Sequence, residues 1–327
     1  YSIIGQAMKF GYIVYVLAYS IMKKLSFGTF KALYDYVDVV YTSIFNINDS
    51  LSLMSNNLGY IKGFFELIEY QGFGDYSHGD VILDDKTPVL EFNHMGFSYP
   101  DDPETKVLKD ISLKIDPGEK VAFFGGDGSG KSTMVKILTG LYRVNVGKFL
   151  IDGNNVKDLD RGQLKKKISV TFQDYINYHF SLKENIVISG QRKNVDKDLY
   201  EEVSDISGVN IFKKNSKLED TTILGKTFPL GKELSPGYWQ RLGIARMLYR
   251  NRKIFVLDEP FTYIDDISAD TILHNIFSFV GKERSLIYIT RSVNLLKYFD
   301  RIYFFDKGKI IDSGSFSELK KKGILKE

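Results

Sequence analysis

The sequence predicts an α/β fold that follows a separate all-helical N-terminal part. Three observations support this prediction. Short β-rich runs alternate with helical runs from residue 89 onward, which is typical of α/β domains. An apolar run over residues 120–124 leads directly into a glycine-rich loop and a helical pattern. The first seventy residues instead carry long, mostly apolar helical patterns, and the length of 327 residues suits about two domains.

The composition excludes several classes of function. The chain has 44 Lys and Arg against 41 Asp and Glu, a net charge of +3, and this near balance gives no argument for a nucleic-acid partner. No Cys is present, which excludes disulfides, thiolate metal sites and cysteine nucleophiles. The chain begins at Tyr1 without a charged, cleavable leader pattern, so we expect no signal peptide and a piece of a longer protein.

The first helical pattern is compatible with a membrane. Residues 10–22 carry no charge, and an apolar pattern extends upstream of them with Gln6 and Lys9 as interruptions. The uncharged run alone is too short to span a bilayer, which takes about 20 residues. The pattern therefore indicates either a transmembrane helix cut near its N-terminal end or a buried helix of a soluble protein. A loop is expected over residues 23–29.

A second long helical pattern covers residues 30–70. At about 100° per residue its polar positions share one face. These positions are Asp35, Asp38, Thr42, Asn46 and Asp49. In a membrane such a stripe faces a bundle interior or a watery path, whereas in a soluble protein it is the solvated side of an amphipathic helix. Glycines and acidic residues then predict a linker, so the predicted domains are residues 1–70, a linker over 71–87, and residues 88–327.

The domain from residue 88 contains eight runs that suit strands. They lie at residues 90–92, 111–113, 121–124, 149–151, 168–172, 254–257, 286–290 and 302–305. A tight turn at residues 306–309 joins two strands near the C-terminus. Helical patterns predominate over residues 182–252, which predicts a helical insert.

The glycine-rich loop matches the phosphate-binding pattern G-x-x-x-x-G-K-[ST]. It consists of Gly125, Gly126, Asp127, Gly128, Ser129, Gly130, Lys131, Ser132 and Thr133. Glycines let several backbone N–H groups point at one anion, and the N-terminus of the following helix adds positive partial charge. We predict that Lys131 bridges the β- and γ-phosphates of a nucleoside triphosphate and that the Ser132 hydroxyl holds Mg²⁺.

A second motif supplies two carboxylates. The apolar run at residues 254–257 ends in Asp258 and Glu259. Such a pair after a strand is weak evidence by itself, but beside a P-loop it indicates the second half of a nucleoside triphosphatase site. Asp258 is predicted to orient Mg²⁺ through its water shell, and Glu259 to polarise the attacking water.

Residues 234–241, Leu-Ser-Pro-Gly-Tyr-Trp-Gln-Arg, resemble the LSGGQxQR signature of ATP-binding cassette (ABC) proteins. The order of P-loop, glutamine loop, signature and acidic pair is also that of the family, and similarity extends over most of residues 89–322. The resemblance implies a RecA-like core, an antiparallel β subdomain, a helical subdomain and ATPase activity. It also implies that Gln173, in the glutamine loop, joins Ser132 and Asp258 at Mg²⁺ and couples the site to membrane helices.

The same resemblance assigns roles at the nucleotide. Tyr99 matches the aromatic residue that stacks on adenine. Ser235 and Gly237 match signature residues that contact the γ-phosphate held by the P-loop of a second subunit. Asp265 matches the aspartate of the D-loop. The implied cofactors are ATP and Mg²⁺, and the implied partner is a second nucleotide-binding subunit, arranged head to tail as a homodimer or a heterodimer.

The N-terminal part resembles exporters of this family. Residues 25–30 are similar to the outer loop between the fifth and sixth membrane helices, and residues 64–69 to the run that enters the nucleotide domain. Residues 173–186 look most like peptide and lantibiotic exporters. The resemblance implies the C-terminal part of a multi-pass half-transporter in the cell membrane, with its nucleotide domain in the cytoplasm. The lipid bilayer and a transported substrate, peptide or lipid-like, are then further partners.

Three positions depart from the family pattern. Pro236 replaces the first signature glycine and Tyr238 replaces its glutamine. Proline lacks a backbone N–H, so we expect a weakened contact with phosphate. Arg291 stands where the family has its switch histidine. An arginine can still donate to the γ-phosphate, but it can also slow turnover by misplacing the water, while the intact Glu259 argues against a dead site.

Two alternatives to a hydrolysing exporter subunit remain. One is a degenerate subunit of a heterodimer that binds ATP and hydrolyses it slowly, which Arg291 and the altered signature favour. The other is an ABC ATPase that acts on DNA, which requires long heptad coiled coils between the P-loop and the signature, and the sequence has none. The remaining patterns have structural interpretations, namely packing for Trp239 and a solvated helix face for the lysines at 165–167.

Overall fold

The computed structural model describes residues 2–69, 79–160, 162–190, 194–226 and 231–325. The chain divides into two compact units, residues 1–71 (unit 1) and residues 72–327 (unit 2). The predicted linker falls partly at residues 71–78, which lie outside the described residues.

Unit 1 consists of two helices, α1 (Ser2–Met22) and α2 (Phe27–Glu69). Helix α2 begins at Phe27 because the Ser26 hydroxyl accepts a hydrogen bond from the Thr29 N–H at 3.2 Å, so the predicted loop ends three residues too late. Lys9 of α1 pairs with Asp38 of α2, whose carboxylate belongs to the predicted polar stripe. Within the described residues, no helix has the combined length and apolarity of a membrane span, so the transmembrane segment stays a prediction.

Unit 2 begins with a small sheet and continues into a larger one. Its strands are β1 (Leu90–Phe97), β2 (Leu108–Ile115), β3 (Lys120–Phe124), β4 (Val146–Ile151), β5 (Asn154–Asn155), β6 (Ile168–Thr171), β7 (Ile254–Asp258), β8 (Ser285–Thr290), β9 (Arg301–Asp306) and β10 (Lys309–Gly314). The eight runs predicted from sequence all fall within these strands, apart from one residue at the end of β6. The helices are α3 (Lys131–Leu138), α4 (Gln163–Lys167), α5 (Leu182–Val187), α6 (Lys197–Ile206), α7 (Val209–Ser216), α8 (Pro236–Tyr249), α9 (Asp266–Val280) and α10 (Phe316–Lys321).

The topology explains where functional residues can meet. One sheet is antiparallel with strand order β2-β1-β4-β5, and the other has the order β10-β9-β3-β8-β7-β6. In the second sheet the neighbours from β9 through β6 pair in parallel and only β10 is antiparallel. Carboxyl ends of parallel strands meet at one edge, which is where open α/β sheets bind ligands. The predicted α/β fold is confirmed.

Two hydrophobic cores cover the two faces of the six-stranded sheet. Strand β7 shows the division, because Ile254 and Val256 face one core and Phe255 and Leu257 face the other. The first core also contains α3 and the antiparallel sheet, and the second contains α8 and α9. Continuous burial of β7 and β8 is expected for parallel strands covered on both sides. The sheet therefore provides a rigid edge for the loops that follow its strands.

Residues 79–89 pack against later parts of unit 2 before β1 begins. Val81 pairs with Leu159, and the Lys167 ammonium donates to the carbonyl oxygens of Asp84 and Lys86. Lys167 is only 4% exposed, so the prediction of a solvated lysine run is wrong at this position, although Lys165 and Lys166 are exposed. The fold tolerates a buried ammonium here because hydrogen bonds to backbone carbonyl groups replace those that it loses with water.

Candidate active site

Four neighbouring strands bring the sequence-predicted residues to one edge. The strand order β3-β8-β7-β6 places four segments side by side. They are the glycine loop after β3, Arg291 after β8, Asp258–Glu259 at the end of β7, and Gln173 after β6. Residues that are far apart in sequence thus meet because their strands are parallel neighbours. We call the glycine loop, Asp258, Glu259 and Arg291 the phosphate cluster.

Two glycines of the loop are required by its geometry. A Cβ atom on Gly125 would lie 2.2 Å from the carbonyl oxygen of Phe305 in β9. Gly130 has a φ of 101°, a left-handed conformation that favours glycine, and its Cβ would lie 2.5 Å from a methyl carbon of Leu108. Gly130 directly precedes α3, so the loop turns its backbone into the N-terminus of that helix. This arrangement suits an anion.

The Lys131 ammonium lies inside the loop. It donates to the carbonyl oxygens of Gly125 and Gly126 at 2.7 and 2.8 Å and to the Ser129 hydroxyl at 3.2 Å. Lys131 is 5% exposed, and this burial lowers the pKa of its ammonium, while the carboxylate of Glu259 acts against the decrease. The lysine is therefore a buried cation beside carboxylates, at the centre of the predicted phosphate-binding loop.

Asp258 has the properties of a metal-binding carboxylate. It is 3% exposed, and burial raises its pKa to about 6, with the neighbouring Glu259 acting in the same direction. Among the described residues, its buried Oδ1 atom has no hydrogen-bond partner. The Ser132 hydroxyl is close enough to lower the same pKa by hydrogen bonding. A buried carboxylate oxygen without a partner beside a hydroxyl fits Mg²⁺, which prefers hard oxygen ligands.

Glu259 is held in a strained backbone conformation. Its φ of 46° lies in the left-handed region, which is unusual for a residue other than glycine. Its N–H donates to the carbonyl oxygen of Ile289 in β8 at 3.1 Å, which fixes the end of β7 against β8. Its side chain is 10% exposed and borders a cavity of about 260 Å³ that Arg291 and Thr262 also line. Glu259 thus borders a space large enough for water.

Arg291 joins the glycine loop to the acidic pair. Its Nη1 atom donates to both carboxylate oxygens of Asp127 at 3.2 and 3.0 Å. Its Nη2 atom lies 3.5 Å from Oε2 of Glu259. The guanidinium therefore stands between two carboxylates, one from the loop and one from the end of β7. Sequence reasoning placed Arg291 at the switch position but gave no sign of its pairing with Asp127.

Tyr99 lies at the side of α3. Its hydroxyl is 3.0 Å from Oγ1 of Thr133, and the ammonium of Lys136 lies 5.3 Å from its ring centre. The ring packs edge-on against Tyr142 with centroids 5.2 Å apart. Tyr99 is half-buried, so part of its ring stays accessible next to the helix that follows the glycine loop. This position is compatible with stacking on a base.

The signature residues lie at the N-terminus of α8, in what we call the signature cluster of Ser235, Gly237, Tyr263 and Asp265. Ser235 is the N-cap of α8 but makes no capping hydrogen bond. A Cβ on Gly237 would lie 2.5 Å from the Tyr263 carbonyl oxygen, so the glycine lets the D-loop approach. The Tyr263 N–H donates to Oε1 of Gln240 at 2.8 Å, which fixes the same approach. Asp265 caps α9 through the Ser268 N–H, and this hydrogen bond lowers its pKa.

The two departures in the signature have local structural explanations. Pro236 is the first residue of α8, a position where the missing N–H would have no partner within the helix. Tyr238 stacks on Phe212 of α7 with ring centroids 4.4 Å apart and planes inclined by 22°. Trp239 is buried, which confirms its predicted packing role. The altered signature is therefore built into the packing of α7 and α8.

A family model described as "ABC transporter" matches residues 108–262 of this chain. The match includes the glycine loop, Gln173, the signature and the acidic pair, which the structure places on one scaffold. The chain carries an ABC transporter domain. Such a domain implies ATPase activity.

Curated relatives of this chain are longer proteins. The subtilin transport ATP-binding protein SpaT of Bacillus subtilis is 35% identical over 86% of this chain and 44% of its own length. A putative multidrug export ATP-binding/permease protein of Staphylococcus aureus is 29% identical over 92% of this chain and 51% of its own length. The chain thus spans about half the length of the curated relatives it matches.

A solved structure shares the fold of this chain. A bacterial Atm1-family ABC exporter with ATP bound superposes with a TM-score of 0.76 at 22% identity. The match covers 98% of this chain and 55% of the exporter chain. At this identity the likeness concerns the fold.

A polar network that sequence reasoning missed joins the signature helix α8 to α5 and to the loop after β6. Arg246 of α8 donates to the backbone and side-chain oxygens of Asn185 at 2.8 and 3.0 Å and to the Ile176 carbonyl at 3.0 Å. Burial lowers the pKa of the Arg246 guanidinium. The Tyr175 hydroxyl donates to the Pro236 carbonyl at 3.0 Å. These contacts tie the loop after Gln173 to the signature helix, and no motif in the sequence marks them.

Proposed function

We propose that this chain is the ATP-binding and ATP-hydrolysing part of an ABC exporter. The observation that carries the proposal is the phosphate cluster. A buried lysine, an orphaned buried carboxylate and a strained glutamate meet at the carboxyl edge of one parallel sheet. The lysine follows β3 and the two acidic residues stand at the end of β7, two strands of the same sheet. This arrangement is expected for a site that binds a triphosphate and activates water.

The residues of the phosphate cluster, together with Gln173 and Tyr99, have separate proposed roles. Lys131 and the loop N–H groups bind the β- and γ-phosphates, since the N-terminus of α3 attracts the same anion. Ser132, Asp258 and Gln173 hold Mg²⁺, which neutralises phosphate charge when it is bound. Glu259 accepts a proton from the attacking water, for which the adjoining cavity leaves room. Tyr99 stacks on the adenine.

The signature cluster serves a second subunit in this proposal. Ser235 is exposed at the N-terminus of a 14-residue helix and does not cap that helix, so its hydroxyl can reach another ligand. Tyr263 and Ile267, which flank Asp265, are 63% and 83% exposed. Exposed apolar side chains beside an open helix N-terminus suit an interface that contains an anion. Two chains arranged head to tail would then place the signature of each over the P-loop of the other.

Unit 1 is proposed to belong to the membrane part of the exporter. Export is part of the printed names of the Staphylococcus relative and of the solved exporter, and SpaT is named for the transport of subtilin. A peptide is therefore the favoured class of substrate, and the nucleotide domain is proposed to face the cytoplasm from the cell membrane. Gln173 is proposed to transmit ATP-driven closure to the membrane helices. The comparisons give no support to a slowly hydrolysing subunit in a heterodimer.

The polar stripe of α2 refines the proposal for the substrate. Its carboxylates suggest a cationic peptide, but Asp38 is already paired with Lys9, which leaves Asp35 and Asp49 as the better candidates. Unchanged export of cationic peptides after Asp35→Asn together with Asp49→Asn would remove this suggestion. A Thr42→Val variant on the same face serves as the uncharged control.

Nucleotide binding and turnover by the full-length protein in lipid test the proposed function. We expect Mg-ATP to bind and to be hydrolysed, and Lys131→Ala to lose both, because no other buried cation lies inside the loop. Lys148→Ala is the matched control, since this lysine is exposed on β4 and lies outside the phosphate cluster. Failure of the parent protein to hydrolyse ATP, or equal activity of Lys131→Ala, would contradict the proposal.

A further inference from the structure

The ion pair between Asp127 and Arg291 joins a carboxylate of the glycine loop to the residue at the switch position. Asp127 puts a negative charge, 78% exposed, in the middle of a loop that is to bind a polyanion. Arg291 meets this charge with a two-pronged hydrogen bond from the end of a different strand. The two residues are separated by 164 positions in the sequence, so the pairing is a property of the fold.

The geometry of the guanidinium gives the pair a second partner. The nitrogen that binds Asp127 is Nη1, which leaves Nη2 directed at Glu259 at 3.5 Å. Both oxygens of Asp127 hold the same nitrogen, Nη1, so the carboxylate anchors one end of the planar guanidinium and favours the direction from which Nη2 meets Glu259. Arg291 itself is 49% exposed, and packing alone therefore does not hold it.

Removing either partner has a different electrostatic consequence. Without Asp127 the guanidinium loses the carboxylate that orients it, although the loop loses an unfavourable charge. Without Arg291 the Asp127 carboxylate stays unpaired beside the phosphates, and like charges repel across the short distances of a phosphate-binding loop. A histidine at position 291 is mostly neutral above pH 7 and does not compensate Asp127.

We infer that Asp127 is a positioning residue for Arg291, and that the two act as a matched pair which keeps the switch position working without a histidine. This inference rests on the proposed function, because it concerns ATP turnover at the same site. Asp127 acts through Arg291 on Glu259 and on the charge of the loop. A matched pair predicts that the Asp127 carboxylate increases ATP turnover when residue 291 is arginine and decreases it when residue 291 is histidine.

The test is a double-mutant cycle in the full-length protein in lipid. kcat and KM for Mg-ATP are measured for the parent, Asp127→Asn, Arg291→His and the double variant. In the parent background Asp127→Asn is expected to lower kcat about threefold to tenfold with little increase in KM, because Arg291 loses its orientation. In the Arg291→His background the same change is expected to raise kcat/KM about threefold, because an unpaired negative charge is removed.

Two further variants separate positioning from a merely structural role. Asp127→Glu keeps the carboxylate and is expected to recover part of the kcat lost in Asp127→Asn. Asp312→Asn removes the partner of Lys322 in a comparable pair on β10 and is expected to leave kcat and KM unchanged. Both positions of the cycle are exposed, so the fold tolerates the substitutions.

The outcomes decide separately between the inference and the proposed function. Opposite signs of the Asp127→Asn effect in the two backgrounds support the matched pair. An effect of the same sign in both backgrounds, or no effect in either, overturns it while ATP turnover by the parent still stands. A parent protein that hydrolyses no ATP overturns the proposed function and the inference together.

Discussion

The phosphate cluster and the signature cluster lie in the same unit but depend on different physical interactions. The phosphate cluster concentrates charge, with a buried ammonium, three carboxylates and a guanidinium at the edge of one sheet. The signature cluster depends on close backbone approach, since Gly237 lies against the carbonyl of Tyr263 and Gln240 receives the N–H of the same residue. The phosphate cluster therefore brings charged side chains together, whereas the signature cluster brings two segments of backbone into close contact.

This difference teaches how substitutions act in each place. In the phosphate cluster, burial of Asp258 and the strain at Glu259 destabilise the fold for the sake of function, so removing a charge there can increase stability while activity is lost. In the signature cluster, the same contacts that shape the surface also stabilise the fold. A substitution there is expected to reduce stability and activity together.

The largest effect is expected from Glu259→Gln. Loss of the proposed general base should lower ATP turnover about 10²- to 10⁴-fold, while ATP binding is retained because Lys131 and the loop are unchanged. Phosphate release and nucleotide binding measured on the same sample check this separation. Glu202→Gln, an exposed glutamate on α6, is the matched control and should keep full turnover. Equal loss of binding and turnover would mean that Glu259 is structural.

Gly237→Ala tests the close packing of the signature cluster. The new methyl group would lie 2.5 Å from the Tyr263 carbonyl, so the D-loop must move away from α8. We expect turnover to decrease about tenfold and the free energy of unfolding to decrease by about 1–3 kcal/mol. Thermal unfolding and turnover measure the two effects. Gly63→Ala has no atom within 4 Å of the added methyl group and should reduce neither. A fully stable Gly237→Ala would contradict the packing account.

Asp258→Asn should stabilise the protein when ATP and Mg²⁺ are absent. The pKa of Asp258 is about 6 in the fold against an ordinary value of 3.8, so its carboxylate destabilises the folded state above pH 6. The shift corresponds to about 1–3 kcal/mol at pH 7.5. This penalty decreases as the pH falls below 6 and disappears near the ordinary pKa, so the two proteins should unfold alike at about pH 4. An Asp258→Asn variant that is less stable than the parent protein at pH 7.5 would contradict the predicted direction of this change.

The smallest effect concerns Tyr99. Tyr99→Phe loses the hydrogen bond to Thr133 but keeps the ring, so the Kd for ATP should rise less than about threefold. Tyr99→Ala also loses the stacking surface and should raise the Kd about fivefold to tenfold. Titration with a fluorescent ATP analogue distinguishes the two variants. Identical effects of both substitutions would show that the ring does not contact the base.

The sequence was sufficient for features that reside in local patterns. The glycine loop, the acidic pair at Asp258 and the signature each combine a fixed spacing with a strand or helix next to it, and the parallel sheet then determines how they meet. Trp239 was also interpreted correctly, since a large aromatic residue within a helical pattern is usually buried.

Other contacts were beyond prediction because they join distant positions. The pairing of Asp127 with Arg291 and the network of Arg246 with Asn185 depend on which strands and helices become neighbours. Lys167 reads as solvated in a run of lysines, yet carbonyl groups more than 80 positions away bury it. In unit 1 the pattern alone left two interpretations open, and most of its large apolar side chains are exposed within that unit.

The central claim is that the phosphate cluster of one chain and the signature cluster of another complete one ATPase site. The direct measurement mixes two inactive full-length variants, Lys131→Ala and Ser235→Arg, with tagged chains to confirm subunit exchange. Mixed head-to-tail dimers contain one intact site, so we expect recovery of up to about a quarter of the parental turnover. Confirmed exchange without any recovery would contradict the claim that the two clusters act across chains.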